Sequence, residues 1–407
     1  MGQKVYFGWF VVVAAFVVLF LGFGIAYSFA SFFDGLEADF QASRGDVSLI
    51  FSIAGFLYFS LGAISGPLSD RLGSRPVVAF GMLLIAGGLL ASSFAQSLWQ
   101  VYLSYGVAVG VGIGFAYVPS VGVLQRWFVR RRGLVTGLAV AGIGVGTLIA
   151  PPISRFLVEI LGWRGAFQVL AGVVLVIGLA AAWMLYPSPA ARGLYPDGEK
   201  TAVGEGASLS GMSLRGALVT RPFWLLFAAS SISAVGLFVP FVHLVKFSVD
   251  HGHDESWSVL LISLIGVGSM SGRLTLGGLA DRFGRHRAII IMFLGMALMH
   301  AWWYVSTSFW ALSVYAVLFG LFYGGFVALA PALIADYYGA KNVGGILGLQ
   351  YSGIALGSLV GPVAAGFAFD LTGSYDLPIA ASAATAFLAT AVILTLRSPA
   401  QWRRRLG

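Results

Sequence analysis

Twelve apolar runs, each long enough to span a bilayer as a helix, divide this chain and limit what it can fold into. They fall at about 6–33, 46–69, 76–97, 99–124, 134–160, 163–186, 222–249, 256–280, 287–307, 309–335, 344–368 and 377–397. Hydrophobic residues make up 58% of the chain and charged residues only 10%, which excludes an ordinary soluble domain. We therefore predict an all-α membrane protein with twelve transmembrane spans, numbered 1 to 12.

The basic residues separate onto the two faces of this arrangement. If both termini lie on one face, that face carries 19 of the 24 Lys and Arg, the other carries four, and Arg273 lies inside span 8. Because loops rich in Lys and Arg stay in the cytoplasm, we expect both termini to be cytoplasmic and the protein to be a multi-pass protein of the cell (inner) membrane. The net charge of +8 then follows from topology and does not indicate nucleic acid.

An internal repeat with an offset of 211 residues relates the two halves of the chain. The offset superimposes GPLSDRLGSRP at 66–76 on GGLADRFGRHR at 277–287, and it also places Gly142 on Gly353. Two matches at one offset, each in corresponding spans, predict parallel six-helix repeats with pseudo-symmetry. The expected parts are an N-terminal six-helix bundle at 1–186, a cytoplasmic linker at 187–221 and a C-terminal six-helix bundle at 222–407.

Two motifs resemble those of a known family. The segments at 66–75 and 277–286 match the loop motif G-x-x-x-D-R-x-G-R-R of the major facilitator superfamily (MFS). RWFVRRRGLVTGLAVAGIGVG, from Arg126 to Gly146, is similar to the fifth-span signature of the monocarboxylate transporters. The resemblance implies the MFS fold and a bacterial lactate or pyruvate transporter, which carries a small monocarboxylate with a proton by alternating access and is not an enzyme.

Arg273 is the only cation inside a span, and its position deep in the bilayer needs an explanation. It precedes Asp281 by eight residues, about 12 Å along a helix and so close to the middle of the bilayer. Placing Arg there costs about 2.5–3.5 kcal/mol, so it should face an aqueous cavity, where its planar fork of donors fits a carboxylate. The alternative is a structural Arg that reaches the membrane surface or bonds helix carbonyls. The resemblance also implies a substrate-binding Arg in span 8.

The walls of such a cavity should combine aromatic rings with a few hydroxyl and amide groups. The polar residues that we place near Arg273 are Tyr27, Tyr117, Tyr323, Gln350 and Tyr351. Three rings could enclose the methyl end of a small acid: Phe115, Phe238 and Phe326. Each polar residue could instead be an ordinary hydrogen-bonding group between helices.

Proton coupling cannot rest on the groups that the resemblance implies. Animal members carry an Asp four residues before the span 8 Arg and a Lys in span 1, whereas this chain has Ser269 and, near span 1, only Lys4 at its mouth. The proton-binding candidates are His243 and Asp250, because His titrates near working pH. For His300, a packing role is the preferred interpretation.

The repeated loop motif predicts a gate at the cytoplasmic face. A carboxylate there can meet the positive N-terminus of a neighbouring helix. By symmetry we expect Asp281 beside the start of span 5, with Arg130 and Arg131, and Asp70 beside the start of span 11, near Lys341. Arg71 and Arg282 complete the gating set, and the alternative is a set of solvated charges that only fix topology.

Other functions stay open at this stage. An exchanger of the oxalate and formate type would need to bind dianions, and a nontransporting carboxylate sensor would bind its ligand without flux. A membrane-embedded enzyme is disfavoured, because the spans contain no paired carboxylates and the chain has no Cys. We expect no cofactor and no metal site, and a monomer whose partners are the bilayer, protons and the carboxylate.

Overall fold

The structure, a computed structural model, describes residues 6–129, 131–198, 211–339 and 343–403. Some side chains lie outside this description, namely those of residues 132, 277–279, 281–283, 343 and 403. Across the described ranges the chain is helical and contains no strand, apart from a single antiparallel bridge between Gly211 and Gly339. The predicted all-α class is confirmed.

Ten helices of the described residues are long and apolar enough to cross a membrane, or eleven if the bent pair Arg44–Ser60 and Gly62–Leu72 is one span. Dividing the longest of them at Gly162 gives twelve, and α1 to α12 keep the numbers of the predicted spans. Their bounds are α1 Gly8–Tyr27, α2 Arg44–Ser60 with Gly62–Leu72, α3 Ser74–Ser93, α4 Leu98–Trp127, α5 132–161, α6 163–184, α7 Arg221–Asp250, α8 Glu255–Phe283, α9 Arg285–Tyr304, α10 Phe309–Tyr338, α11 Val343–Thr372 and α12 Asp376–Leu394. Short helices occupy Phe33–Phe40, Leu214–Leu218 and Pro399–Arg403.

Two breaks set the count of twelve. Helix α2 bends by 48° between Ser60 and Gly62 but remains one span. The run Gly133–Met184 has 52 residues, which at 1.5 Å per residue is far longer than one bilayer crossing. Gly162 divides it into α5 and α6 with a φ of 69° and a ψ of 168°, a backbone conformation that glycine adopts without a steric penalty.

The first helix of each half is interrupted at an equivalent position. Helix α1 ends at Tyr27 and continues as a 3-10 turn, Phe29–Phe32, and the helix Phe33–Phe40. Helix α7 is interrupted at Phe238, which lies 211 residues after Tyr27. The interruption is therefore part of the repeat, with Tyr27 and Phe238 as equivalent residues.

Close glycine contacts repeat with the same offset. In α5, a methyl group on Gly142 would collide with the carbonyl oxygen of Phe16 in α1. In α11, a methyl group on Gly353 would lie 2.9 Å from the ring of Phe227 in α7. The offset of 211 relates Gly142 to Gly353 and Phe16 to Phe227. The packing of α1 on α5 is therefore repeated by the packing of α7 on α11, and the predicted pseudo-symmetry is confirmed.

The halves meet along two helix pairs, α2 with α11 and α5 with α8. Small residues let the backbones approach closely there. A Cβ on Gly144 of α5 would lie 3.1 Å from Met270 of α8, and one on Gly366 of α11 would lie 2.7 Å from the Cα of Gly45 in α2. These two seams flank the space in which a central site can form.

The segment between the halves is docked at both ends. At its start, the carboxylate of Asp197 accepts a hydrogen bond from the Val129 amide at 2.9 Å. At its end, the Met212 amide donates to the carbonyl of Tyr338 at 2.7 Å. We call the end of the bundle that holds Tyr6, this segment and the helix Pro399–Arg403 the termini face, and the other end the opposite face.

Candidate functional site

A central cavity lies between the two halves near the middle of the helices. It is lined by Phe23, Phe59, Tyr117, Ile143, Leu237, Phe238, Arg273, Tyr323, Phe326, Val327, Ala330, Tyr351 and Ile354. The lining comes from α1, α2, α4, α5, α7, α8, α10 and α11, so both halves contribute to one site. Most of these side chains are apolar, and a single cation is among them.

The guanidinium of Arg273 is buried with its hydrogen-bonding capacity largely unused. The residue is 9% exposed, and its Nη1 donates to the Val140 carbonyl of α5 over a long 3.4 Å. Its Nε and Nη2 are buried and have no hydrogen-bond partner among the described residues. Because burying an unpaired charged donor is costly, these two nitrogens favour an anionic ligand that accepts from both.

Four tyrosines lie within reach of the Arg273 charge: Tyr27, Tyr117, Tyr323 and Tyr351. They form two pairs, and each pair joins one half to the other. The hydroxyls of Tyr27 and Tyr323 are 3.0 Å apart, while the side chains of Tyr117 and Tyr351 interact as the second pair. A phenol can donate to a carboxylate, so the site offers neutral donors around one cation.

Phenylalanine rings form the apolar part of the cavity wall. Phe23 packs edge-on against Tyr117, with ring centroids 5.3 Å apart, and Phe59 packs against Phe238 at 5.5 Å. Phe326 closes the wall on the side of α9, against Phe293. Such a surface suits the hydrocarbon part of a small organic acid.

Three residues that we placed in the site do not line the central cavity: Tyr27, Gln350 and Phe115. Tyr27 lies beside it, with its hydroxyl 3.0 Å from that of Tyr323, which does line it. The side-chain amide of Gln350 donates to the Phe223 carbonyl at 3.1 Å and faces the interior of the C-terminal half. Phe115 packs against Phe80 of α3, with ring centroids 5.5 Å apart. The helical period accounts for both, because Gln350 points about 100° away from Tyr351 and Phe115 about 200° away from Tyr117, and it is Tyr351 and Tyr117 that line the cavity.

Two aromatic wall residues, Phe23 and Phe59, were not predicted from the sequence, and neither were the aliphatic ones, Ile143, Leu237, Val327, Ala330 and Ile354. Phe23 lies four residues before Tyr27, and residues at this spacing share a helix face. The position of Tyr27 could therefore have identified Phe23. For Phe59 we find no signal in the sequence, because its orientation depends on how α2 packs against α7 and α11.

Asp250 takes part in an ion pair between the halves on the opposite face. Arg44 of α2 donates from Nη1 and Nη2 to the two carboxylate oxygens of Asp250, at 2.5 and 2.8 Å. The same guanidinium donates to the Tyr375 hydroxyl at 3.0 Å and stacks over Phe369 at 3.9 Å. Both carboxylate oxygens of Asp250 therefore accept from Arg44 in this conformation.

His243 is buried and is connected to that ion pair through Tyr375. Its Nε2 lies 2.8 Å from the carbonyl of Pro362, which can only accept, so the proton is on Nε2. Its Nδ1, 3.0 Å from the Tyr375 hydroxyl, is then free to accept. The geometry fits a neutral imidazole, connected through Tyr375 to Arg44 and Asp250.

Further contacts between the halves lie on the opposite face. Lys246 of α7 pairs with Asp34 and with Glu37, the latter at 2.6 Å. Arg155 of α5 pairs with Glu255 of α8. The carboxylate of Asp370, from α11, accepts the amide hydrogens of Arg44 and Gly45 at the start of α2, at 3.0 and 2.8 Å. These contacts hold the opposite face closed.

On the termini face, the ion pairs between described side chains each stay within one half. Asp70 pairs with Arg126 at 2.6 Å, and Arg285 pairs with Asp336 at 2.9 Å. An acid at a span end on the termini face therefore finds its cation within its own half in this conformation. The expected position of Asp70 beside the start of span 11, near Lys341, stays a prediction.

Of the other gating residues, the structure describes the side chains of two. Arg71 and Arg131 are exposed. Arg130 and Lys341 lie outside the described residues, as do the side chains of Asp281 and Arg282. The proposed contact of Asp281 with the start of span 5 therefore stays a prediction.

Comparisons with known proteins agree with this architecture. The chain matches the sequence model of the Major Facilitator Superfamily over residues 12–299 and 256–406. It is 32% identical to Monocarboxylate transporter 13 of Rattus norvegicus over 395 residues, 96% of this chain and 89% of that protein. It is 31% identical to Monocarboxylate transporter 11 of Mus musculus, over 91% of this chain and 83% of that protein. Monocarboxylate transporter 2 of Rattus norvegicus is 28% identical, over 90% of this chain and 78% of that protein.

Proposed function

The chain belongs to the Major Facilitator Superfamily and, within it, to the monocarboxylate transporters, and from this premise we propose that it carries a small monocarboxylate, such as L-lactate or pyruvate, together with a proton. It is a transporter of the MFS type and not an enzyme. The proposed mechanism is alternating access, in which the central cavity opens to one face and then to the other.

The observation that carries the proposal is the state of Arg273. Two of its buried nitrogens have no hydrogen-bond partner within the described chain, and the residue lines a cavity walled by tyrosines and phenylalanines. A carboxylate accepting from Nε and Nη2 would satisfy both donors with one bidentate contact. Tyr117 and Tyr323 can then donate to the remaining lone pairs, and Phe23, Phe238 and Phe326 can enclose the methyl end.

The single cation supports a monoanion as substrate. One guanidinium neutralises one negative charge, and a second carboxylate would enter the cavity without a counter-charge, a penalty of several kcal/mol. Among the residues that line the cavity in the described chain, Arg273 is the only charged one. Dianions such as oxalate and succinate should therefore be poor substrates.

We assign the termini face to the cytoplasm of a cell (inner) membrane, on the basis of its excess of Lys and Arg. The ion pairs that close the opposite face then make this conformation inward-facing. In the same assignment, residues 187–221 are a cytoplasmic linker between the bundles 1–186 and 222–407, and the transporter acts as a monomer. Asp70 and Asp281 would act in the reverse conformation, where the cytoplasmic ends approach each other.

For the proton we propose His243, with Asp250 as the alternative. A proton on Nδ1 of His243 would remove the acceptor of the Tyr375 hydroxyl and add positive charge next to Arg44. Both effects weaken the closed opposite face. Proton uptake would therefore accompany opening to the outside, as symport requires. Protonation of Asp250 would act more directly, because it would remove the charge that Arg44 binds.

Uptake into proteoliposomes tests this function. We expect labelled lactate and pyruvate to accumulate faster with an inward proton gradient, and oxalate and succinate to be taken up poorly. Either His243→Gln or Asp250→Asn should abolish the response to the gradient while leaving exchange of lactate across the membrane. Oxalate transported as well as lactate, or lactate uptake indifferent to the gradient, would replace symport with anion exchange.

A further inference from the structure

Four charged side chains on the opposite face alternate between the two halves. Lys246 of α7, in the C-terminal half, pairs with Asp34, which follows α1 in the N-terminal half. Arg155 of α5, in the N-terminal half, pairs with Glu255 at the start of α8 in the C-terminal half. Each acid therefore has its cation on the other half. We call these four residues the alternating cluster.

The two acids of the alternating cluster also contact each other. The carboxyl groups of Asp34 and Glu255 are within hydrogen-bonding distance, and both are partly buried. An ionised carboxylate can only accept, so a hydrogen bond between two carboxyl groups requires that one of them carry a proton. If both were ionised, like charges would face each other across the interface between the halves.

The surroundings supply too little positive charge for both acids to be ionised at low cost. Glu37 shares Lys246 with Asp34, at 2.6 Å from Nζ, and Glu159 shares Arg155 with Glu255, at 2.9 Å from Nε. Two cations thus serve four acids, and a shared proton offsets part of the excess negative charge.

Other charged or titratable groups lie near this cluster in the described chain. Arg44, Asp250 and His243 form the neighbouring group between the halves, and Arg44 is also 3.8 Å from Glu37. Asp39 and Arg164 pair within the N-terminal half. The loop before α8 carries His251, His253 and Asp254, which bond backbone groups.

We propose that Asp34 and Glu255 form a pH-sensitive contact, which holds the opposite face closed while one proton is shared between them and favours opening when that proton is lost. Loss of the proton replaces an attraction between the halves with repulsion between the same two groups. The closed conformation therefore binds one proton more at this contact than the open one, so closure weakens as the pH rises.

The sign of this effect is opposite to that of His243. A proton on His243 would weaken closure through Tyr375 and Arg44, whereas a proton on the acid pair strengthens it. This inference goes beyond the proposed function, because it needs no substrate. Only the assignment of the opposite face to the outside is taken from that proposal, and with it an acidic medium outside the cell would favour the closed face.

Distance measurements between the halves test this contact. Spin labels at Gln41 of the N-terminal half and Thr307 of the C-terminal half, both exposed on the opposite face, report its opening in substrate-free protein. Glu255→Gln imitates the protonated pair at every pH, because an amide is neutral and still donates to Asp34. Raising the pH from about 5 to about 8 should increase the ratio of open to closed molecules several-fold more in the wild type than in Glu255→Gln, with about tenfold per pH unit as the limit for one proton. His243 is present in both proteins, so its contribution cancels in the comparison.

A second variant and a control complete the test. Asp34→Asn should lose the pH response as Glu255→Gln does, while Lys246 keeps Glu37, and it decides the matter if Glu255→Gln fails to fold. Asp39→Asn should keep the wild-type response, because Asp39 pairs with Arg164 within one half on the same face. Equal pH responses in the wild type and the amide variants, or loss of the response in Asp39→Asn as well, would overturn the proposal. Neither result bears on lactate uptake, and a protein that failed to take up lactate could still show this response.

Discussion

The hydroxyls of Tyr27 and Tyr323 meet at 3.0 Å although the two residues belong to different halves of the molecule. Tyr27 ends α1 at the bend of the N-terminal half, and Tyr323 lies in the middle of α10, where it lines the central cavity. Because both hydroxyls lie near Arg273, a substrate bound there could exchange hydrogen bonds with this pair. The contact therefore links binding to the relative position of the halves.

Removing the Tyr323 hydroxyl should weaken binding. A hydrogen bond to a charged group is worth about 1.5–3 kcal/mol, so Tyr323→Phe should raise the Kd for lactate at least tenfold. Tyr315→Phe is the matched control, because Tyr315 is fully buried in the same helix and contacts His300 outside the cavity. Tryptophan fluorescence titration of the wild type and of both variants measures the Kd for lactate. An equal Kd in Tyr323→Phe and in Tyr315→Phe would contradict a binding role for Tyr323.

Arg273→Lys should bind lactate poorly although it keeps the charge. Lys has no planar fork, so the bidentate contact is lost, which corresponds to about 1.5–3 kcal/mol and a tenfold or larger rise in Kd. Arg164→Lys is the control, since Arg164 pairs with Asp39 at the opposite face, away from the cavity. Wild-type affinity in Arg273→Lys would mean that Arg273 is a structural residue.

Arg44→Gln should shift the protein towards the conformation open on the opposite face. It removes the ion pair with Asp250 between the halves, whereas the control, Arg164→Gln, removes an ion pair on the same face within the N-terminal half. Spin labels at exposed Gln41 and Trp257 report the separation of the halves. We expect a longer distance in Arg44→Gln only, and identical distance distributions in the two variants would exclude a role for Arg44 in closure.

A methyl group at Gly142 should destabilise the fold. In Gly142→Ala the new Cβ collides with the Phe16 carbonyl, and overpacking of this kind costs about 1–3 kcal/mol. Gly137→Ala, five residues earlier in α5, is the control, because its Cβ would meet nothing within 4 Å. Thermal unfolding in detergent should show a lower Tm for the first variant only. An unchanged Tm for Gly142→Ala would show that α1 and α5 can separate freely.

Single cysteines test the orientation in a chain that has none of its own. An impermeant maleimide applied to intact cells should label Cys at position 307, in the exposed loop between α9 and α10 of the opposite face. Positions 210 and 402 should become labelled only after the membrane is permeabilised. Labelling of either from outside would reverse the assignment of the two faces.

The fold follows from the sequence to within a few residues at most span ends. The predicted break between spans 5 and 6, at 160–163, coincides with Gly162, and the repeat offset predicted which glycines would pack alike. These features depend on local composition and on comparison of the chain with itself. They do not require knowledge of which helices become neighbours.

The site was predictable only in part. Arg273, Tyr117, Tyr323, Tyr351 and Phe326 do meet at one cavity, because intramembrane polar groups avoid lipid and so point inwards. Sequence position alone could not show that Gln350 faces the interior of the C-terminal half and bonds the Phe223 carbonyl instead of lining the central cavity. The partner of Asp70 depends on which face is closed, and that is a property of the conformation rather than of the sequence.

The docking of the linker has a consequence for how this protein could be made. Asp197 fixes the start of the linker to the N-terminal half, and Met212 fixes its end to the C-terminal half. The covalent connection between the two halves therefore keeps them close together but does not determine how they pack. A gene divided near codon 205 would then encode two polypeptides, each with its own bundle and its own docked end. Co-expressed in one membrane, these fragments should recognise each other along α2 with α11 and α5 with α8 and reassemble into a working carrier.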